Sequence, residues 1–179
     1  GSASKNTIAI VRGATTTVTL GGVTVSVAAA NSENLQVLAG LGDDTINLSG
    51  TGGAALTVDG GAPTASDTLA FTSAAAGAAF VVTPGTTNDS GSVSMDGTVT
   101  QFSGIEAINL DAGAGAAADS LSILGTSGPD AITIVGTAAT ALCWVCIILL
   151  GFRCCCTERR GLATTPRSTV RSFRRLLNT

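Results

Sequence analysis

The chain has 179 residues, of which 45% are hydrophobic, so it is long enough for one domain with a sizeable core. It contains no histidine and no tyrosine, which removes the usual general base and a common proton donor and argues against most classes of enzyme. The net charge of -3 conceals an acidic part, residues 1–141, with eleven acids against Lys5 and Arg12, which argues against nucleic acid as a partner because phosphate binding needs clustered basic residues.

Short β-prone runs recur from the beginning of the chain, and many alternate an aliphatic residue with threonine, serine or asparagine. This alternation points one set of side chains into a core and the other toward solvent. Clusters of glycine, alanine, aspartate, asparagine and proline between the runs predict turns. We therefore predict a β-domain over residues 1–137, with strands at Ile8–Val11, Thr17–Leu20, Val23–Val27, Leu35–Leu38, Thr45–Leu48, Leu56–Val58, Leu69–Phe71, Phe80–Thr83, Val93–Met95, Val99–Phe102, Ile105–Leu110, Leu121–Leu124 and Ile132–Val135.

The composition changes after this domain. All five cysteines lie between Cys143 and Cys156, and residues 131–152 are uncharged and are followed by arginines. Such a run predicts a membrane anchor through residues 131–152 with its basic flank inside; an aberrant or unrelated tail is the alternative. We divide this part into an apolar, cysteine-containing segment, 138–156, and an arginine-rich tail, 157–179, that is flexible or forms a basic amphipathic helix.

A second pattern is a glycine-rich stretch that runs into an aspartate, a small residue and an aliphatic residue. We expect the glycines to permit a turn with positive φ, the aspartate to face outward and the aliphatic residue to begin a buried strand. Residues 44–53 also align without a gap on residues 119–128, which indicates internal repetition. The four copies end at Asp44-Thr45-Ile46, Asp67-Thr68-Leu69, Asp119-Ser120-Leu121 and Asp130-Ala131-Ile132.

These turns resemble the hemolysin-type calcium-binding repeats, or RTX repeats, in which calcium lies between glycine-rich turns held by aspartate and backbone carbonyl oxygens. Gly40, Gly42 and Asp44 match that pattern, as do Gly128 and Asp130. The resemblance implies calcium as a cofactor and these five residues as its candidate binding turns. The simpler alternative is an Asx-type turn, in which each carboxylate accepts hydrogen bonds from nearby backbone N–H groups.

The predicted fold is all-β, with two alternatives for its architecture. The resemblance implies a parallel β-helix or β-roll solenoid, and the composition of the tail adds a candidate C-terminal helix. An antiparallel β-sandwich is the alternative, because one sequence does not reveal how strands pair.

The resemblance further implies a non-catalytic structural or adhesion module of an exported bacterial repeat protein, extracellular or on the cell surface. Its expected partners are calcium ions, neighbouring repeats of the same protein and cell-surface ligands. The alternative is a single-pass membrane protein with an outward-facing acidic β-domain and a basic cytoplasmic tail.

Overall fold

A computed structural model describes residues 4–61, 66–115 and 117–126, together with the backbone of 144–149 and 152–155. Within these residues the chain is all-β, as predicted, and contains one short 3-10 turn at Ala29–Asn31. The strands are β1 Thr7–Val11, β2 Thr15–Leu20, β3 Val23–Ala28, β4 Asn34–Leu38, β5 Thr45–Ser49, β6 Ala55–Asp59, β7 Thr68–Thr72, β8 Ala79–Pro84, β9 Gly91–Met95, β10 Thr98–Ser103, β11 Ala107–Asp111, β12 Ser120–Leu124, β13 Trp144–Leu149 and β14 Phe152–Cys155.

The strands form two sheets, and both are mixed. The first sheet has the order β11-β7-β5-β1-β2-β3, and the second has the order β14-β13-β12-β8-β9-β10-β6-β4. Strands β1, β5, β7 and β11 pair in parallel, as do β4, β6 and β10, and β8, β12 and β13. The neighbours in β1-β2-β3, β8-β9-β10 and β13-β14 are antiparallel. The chain therefore combines the two kinds of pairing that the sequence alternatives treated separately.

The core lies between the apolar faces of the two sheets. In the first sheet the alternating aliphatic residues of neighbouring strands are in register, so their side chains form two continuous apolar rows. The second sheet contributes buried residues from several strands, among them Val58, Phe80, Val93, Met95 and Phe102. The two rows are Ile108-Leu69-Ile46-Ile8-Leu20 and Leu110-Phe71-Leu48-Ile10-Val18.

Two tight hairpins close the antiparallel parts. Gly21 and Gly22 connect β2 to β3 with φ of 58° and 83°, and Asp96 and Gly97 connect β9 to β10 with φ of 50° and 80°. Two central residues with positive φ make a type I′ turn, whose twist matches that of the flanking strands. The Asp-Gly and Gly-Gly pairs thus fix the register of both hairpins.

Part of the predicted apolar segment, 138–156, forms two strands. Residues 144–149 form β13, which pairs in parallel with β12, and residues 152–155 form β14. In the part of the chain that the structure describes, no helix has the length and apolar character needed to cross a membrane. The predicted strand at Ile132–Val135 and the predicted basic helix in the tail lie outside the described residues, and the membrane anchor stays a prediction.

Candidate functional site: a carboxylate ladder

The aspartates of the predicted turns occupy equivalent positions at the beginnings of parallel strands. Asn6, Asp44, Asp67 and Glu106 directly precede β1, β5, β7 and β11. The first residues of these four strands are in register across the sheet, so the four preceding residues also stack in one line. We refer to this line, which consists of Asn6 and three acids, as the carboxylate ladder.

Each acid of the ladder accepts a hydrogen bond from the backbone of its neighbour in the line. Asp44 Oδ1 accepts the Asn6 N–H at 2.6 Å, and also the Asn6 side-chain amide at 3.0 Å. Asp67 Oδ1 accepts the Asp44 N–H at 2.7 Å. Glu106 Oε2 accepts the Asp67 N–H at 2.7 Å. Three carboxylates in succession therefore join four successive strands.

The backbone explains why an acid is useful at these positions. The carbonyl groups of Asn6 and Asp44 already accept the N–H groups of Thr45 and Thr68, both at 2.9 Å. Their own N–H groups point toward the same neighbour just before the strand begins, and a buried N–H without an acceptor is costly. The neighbouring carboxylate supplies that acceptor, and a hydrogen bond to a charged group contributes about 1.5–3 kcal/mol.

Asp119 makes the same arrangement in the second sheet. It directly precedes β12, and its Oδ1 accepts the N–H of Ala78, which directly precedes the parallel neighbour β8, at 2.8 Å. Asp44 and Asp119 open the two sequence blocks that align with each other, and they have the same local role.

The expectation that these aspartates face outward is wrong for two of them. Asp44 is 0% exposed and Asp67 is 2% exposed. The expectation of local capping is also wrong for the ladder, because the N–H groups lie 38 and 23 residues away in sequence. Local Asx turns occur instead at strand ends, where Asp59 accepts the Gly61 N–H at 3.1 Å and Asp111 accepts the Gly113 N–H at 2.8 Å.

The buried acids create an unfavourable electrostatic environment. Burial raises the pKa of Asp67; its hydrogen bond from Asp44 opposes this rise, and the charges of Asp44, Glu106 and Asp43 add to it. Asp44 Oδ2 is buried and lacks a hydrogen-bond partner among the described residues. The ladder therefore places an acid with a raised pKa beside a buried carboxylate oxygen that has no described donor.

Two of the predicted calcium-turn glycines lie beside this ladder. Gly40 and Gly42 have φ of 108° and 114°, so the predicted positive-φ turn is confirmed. A Cβ on Gly42 would lie 2.7 Å from the carbonyl carbon of Ser4, so a close approach of two backbone segments also requires glycine there. The other predicted turn, Gly128 and Asp130, lies outside the described residues. Among the residues that are described, no group of three or more acids, cysteines or histidines is placed to hold a metal ion.

The sequence search missed Glu106 and Asn6, although both had a usable signal. Asn6-Thr7-Ile8 and Glu106-Ala107-Ile108 have the same order of polar, small and aliphatic residues as Asp44-Thr45-Ile46. Neither fits the aspartate-turn pattern, because the first residue is not an aspartate and no glycine-rich stretch precedes it. A pattern that includes them must accept any side chain with an oxygen acceptor at the first position and must not require glycines before it.

Arg12 is a second buried polar residue that the sequence search missed. It is 6% exposed, and its guanidinium donates to the Val99 carbonyl at 2.9 Å, Thr100 Oγ1 at 3.0 Å and the Ala54 carbonyl at 2.7 Å. These three acceptors are uncharged, and burial lowers the pKa of Arg12. Arg12 directly follows β1 of the first sheet and therefore connects it to β10 and to the residue before β6 in the second.

A small cavity of about 240 Å³ lies beside the β9–β10 turn and includes Gly50, Ser73, Met95 and Asp96 in its lining. Its acid, Asp96, accepts hydrogen bonds with both oxygens, from Ser73 Oγ at 2.6 Å and from the Ala79 N–H at 2.8 Å. Both oxygens are thus engaged in holding the turn against the neighbouring strands.

Comparison of the chain with protein-family models, with curated proteins and with solved structures found no match. Proposals about function therefore depend on the residues and geometry described above.

Proposed function

We propose that this chain is a non-catalytic structural module of an exported bacterial repeat protein, in which acidic turns hold successive strands in register. The observation that carries the proposal is the use of Asp44, Asp67 and Asp119 as acceptors for backbone N–H groups of neighbouring parallel strands. Carboxylates engaged in this way are poorly available as catalytic acids or bases. The absence of cysteine from residues 1–141 is also common in bacterial exported proteins.

We infer further that the architecture is solenoid-like rather than a pure sandwich. From β4 to β8 the chain alternates between the two sheets, and the strands it adds to the first sheet are parallel to one another. This alternation is the path of a solenoid coil, which the antiparallel strands β8, β9 and β10 interrupt. Such a module serves as a spacer or adhesive element at the cell surface, with neighbouring repeats or surface ligands as its partners.

The structural role can be tested without any ligand. The test compares the Tm of three chains in EDTA: the wild type, Asp44→Ala and Asp43→Ala. Asp44 is a buried acid of the ladder, and Asp43 is its exposed neighbour. We expect a cooperative transition in the wild type and a lower Tm only in Asp44→Ala. A wild-type chain that does not fold in EDTA, or equal Tm values for the two variants, would remove the proposal.

Calcium stabilisation is a second proposal, favoured by Asp44 Oδ2. This buried oxygen has no hydrogen-bond donor among the described residues, and a hard cation is the ligand that carboxylate and carbonyl oxygens prefer. Asp44 would supply that oxygen, and the turn at Gly40 and Gly42 would supply carbonyl oxygens. The cation would also offset the charges of Asp43 and Asp67.

The test of this second proposal is Tm as a function of added calcium, with magnesium as the control ion. We expect calcium at about 1 mM to raise the Tm of the wild type but not the Tm of Asp44→Asn. This concentration is chosen because millimolar affinity is typical of extracellular calcium modules. Equal shifts with both ions, or no shift with either, would contradict specific binding.

A further inference from the structure

The β2–β3 hairpin exposes part of the core face of the first sheet. The two apolar rows of that sheet continue from Leu20 and Val18 onto Val23 and Val25, their cross-strand partners in β3. Cross-strand partners lie on the same face of a sheet. Val23 and Val25 are nevertheless 69% and 56% exposed, although the rest of both rows is buried or partly buried. The core face is therefore uncovered at these two residues, which we call the valine face.

The valine face sets the chemistry of what can cover it. An exposed apolar surface that continues a core is typical of a docking site. Its surroundings carry no positive charge, since residues 13–42 contain no lysine and no arginine, and Glu33 is their one acid. The occupant should therefore offer apolar side chains, and a basic group on it meets no repulsion here.

The C-terminal end of the chain has this chemistry. Residues 167–179 contain four arginines and no acid. Their large apolar residues recur at helical spacing, so a helix over them has an apolar stripe flanked by arginines. The arginines are Arg167, Arg171, Arg174 and Arg175, and the apolar residues are Val170, Phe173, Leu176 and Leu177.

Charge and tethering both favour this segment over other occupants. Residues 1–141 have nine more acids than basic residues, eleven against two. This charge attracts the arginines, and it repels a second β-domain or an anionic lipid surface. Because the segment belongs to the same chain, its effective concentration is on the order of millimolar, well above that of most separate partners.

The chain is long enough for this contact. Strand β14 ends at Cys155 and lies seven strand spacings from β4 in the second sheet, and residues 29–33 join β4 to β3. At about 4.8 Å per spacing the distance is about 34 Å. An extended chain crosses it in about ten residues. Residues 156–166 therefore suffice as a connection, and residues 167–179 remain for the contact.

We propose that residues 167–179 dock on the valine face of their own chain. Their apolar side chains contact Val23 and Val25, and their arginines face solvent and the acidic β-domain. Arginine also covers apolar surface with its aliphatic stem while its guanidinium stays in water. Strand β3 is the last strand of its sheet, so the docked segment shields an apolar strand from pairing with other chains.

Hydrogen exchange of the full chain in reducing buffer tests the contact. Leu176→Ser removes an apolar side chain from the docking segment, and Leu162→Ser makes the same change in the connection. We expect amides in β3 to exchange at least about tenfold faster in Leu176→Ser than in the wild type, and at the wild-type rate in Leu162→Ser. Amides in the central strand β5 should exchange alike in all three chains, which checks that the β-domain remains folded. Phe173→Ser repeats the test at a second position.

A matched pair of charge reversals tests the role of the arginines. One variant combines Arg174→Glu with Arg175→Glu in the docking segment, and the other combines Arg159→Glu with Arg160→Glu in the connection. The change in net charge is the same, so general attraction to the β-domain falls equally in both. The first variant should give the larger increase in β3 exchange.

Three results would overturn the proposal. The first is equal β3 exchange in the wild type and Leu176→Ser, or equal effects within either matched pair. The second is protection of β3 that appears only as dimers form in sedimentation velocity, because the occupant is then a second copy. The third is binding of the wild type to phosphatidylglycerol vesicles while β3 stays unprotected, which would assign the arginines to a membrane surface.

Discussion

The Asp67 carboxylate accepts the backbone N–H of Asp44 at 2.7 Å, across 23 residues of sequence, and Asp44 in turn accepts the N–H of Asn6. Each aspartate donates through its backbone N–H and accepts through its carboxylate. These bonds extend the hydrogen bonding between the parallel strands by one residue before each strand begins. The arrangement brings two acids that are almost fully buried into direct contact. Stability and pH response should both depend on it.

Loss of the Asp44 side chain should destabilise the fold. Asp44→Ala leaves the N–H of Asn6 without its acceptor, and we expect the free energy of unfolding to fall by about 2 kcal/mol in a urea titration. Asp44→Asn keeps an acceptor oxygen and should lose less. Asp43 is exposed and accepts only a long bond, from the Ser66 N–H at 3.3 Å, so Asp43→Ala serves as the control and should cost about 0.5 kcal/mol. Equal losses at the two positions would contradict the role given to the ladder.

The raised pKa of Asp67 predicts a specific pH dependence. Because burial raises the folded-state pKa above the unfolded-state pKa, the folded chain binds the extra proton, and this contribution to stability is complete below the unfolded pKa. It is lost as the pH rises through the folded pKa, so the ionised Asp67 costs stability near neutral pH. Asp67→Asn removes the titration and keeps an acceptor for the Asp44 N–H.

Urea titrations between about pH 3 and about pH 7 test this sign. One titrating group changes the free energy of unfolding by at most about 1.4 kcal/mol per pH unit. The free energy of unfolding of Asp67→Asn minus that of the wild type should increase with pH. Asp43→Asn, in which an exposed acid is changed, should show a smaller dependence. A difference that is flat or decreases with pH would show that the bond from Asp44 outweighs burial.

The strands could be predicted from the sequence because their signal is local. In Thr45–Ser49, for example, Ile46 and Leu48 alternate with polar residues, and the structure buries both and forms β5 there. The partners of β5 could not be predicted in the same way. It pairs with β1, 38 residues earlier, and with β7, 23 residues later, and these unequal separations leave no fixed period in the sequence.

The sequence located two acids of the ladder but did not reveal that they are buried. The sequence identified Asp44 and Asp67, but their carboxylates looked solvent-facing because the bonded N–H groups belong to strands whose register is set by the whole sheet. Arg12 shows the same difficulty: it is followed by a glycine at the end of an alternating strand, and its acceptors on Val99 and Ala54 lie 87 and 42 residues away. Long-range register decides the burial of a polar side chain, and local pattern does not reveal it.

Gly42 should be required for close backbone packing even without calcium. A Cβ there would clash with Ser4, and φ of 114° is unfavourable for other residues, whereas Gly52 has φ of 78° and open space around it. Gly52→Ala should cost about 1 kcal/mol from its backbone conformation alone. Gly42→Ala should cost clearly more in EDTA, measured by urea titration. Equal costs would show that the Ser4 segment moves aside, and a cost seen only with calcium would assign Gly42 to ion binding.

Arg12 should stabilise the contact between the two sheets. Arg12→Leu leaves two backbone carbonyls and the Thr100 hydroxyl without their described donor, and we expect a loss of about 3 kcal/mol in the free energy of unfolding. Arg12→Lys keeps the charge but cannot reproduce the planar set of donors, so it should be intermediate. Lys5→Met, at an exposed position, is the control for loss of a positive charge. Hydrogen exchange should also quicken at Val99 and Thr100 in Arg12→Leu, since β10 loses its connection to β1. An Arg12→Leu chain as stable as the wild type would mean that the cost of burying the guanidinium cancels the benefit of its three hydrogen bonds.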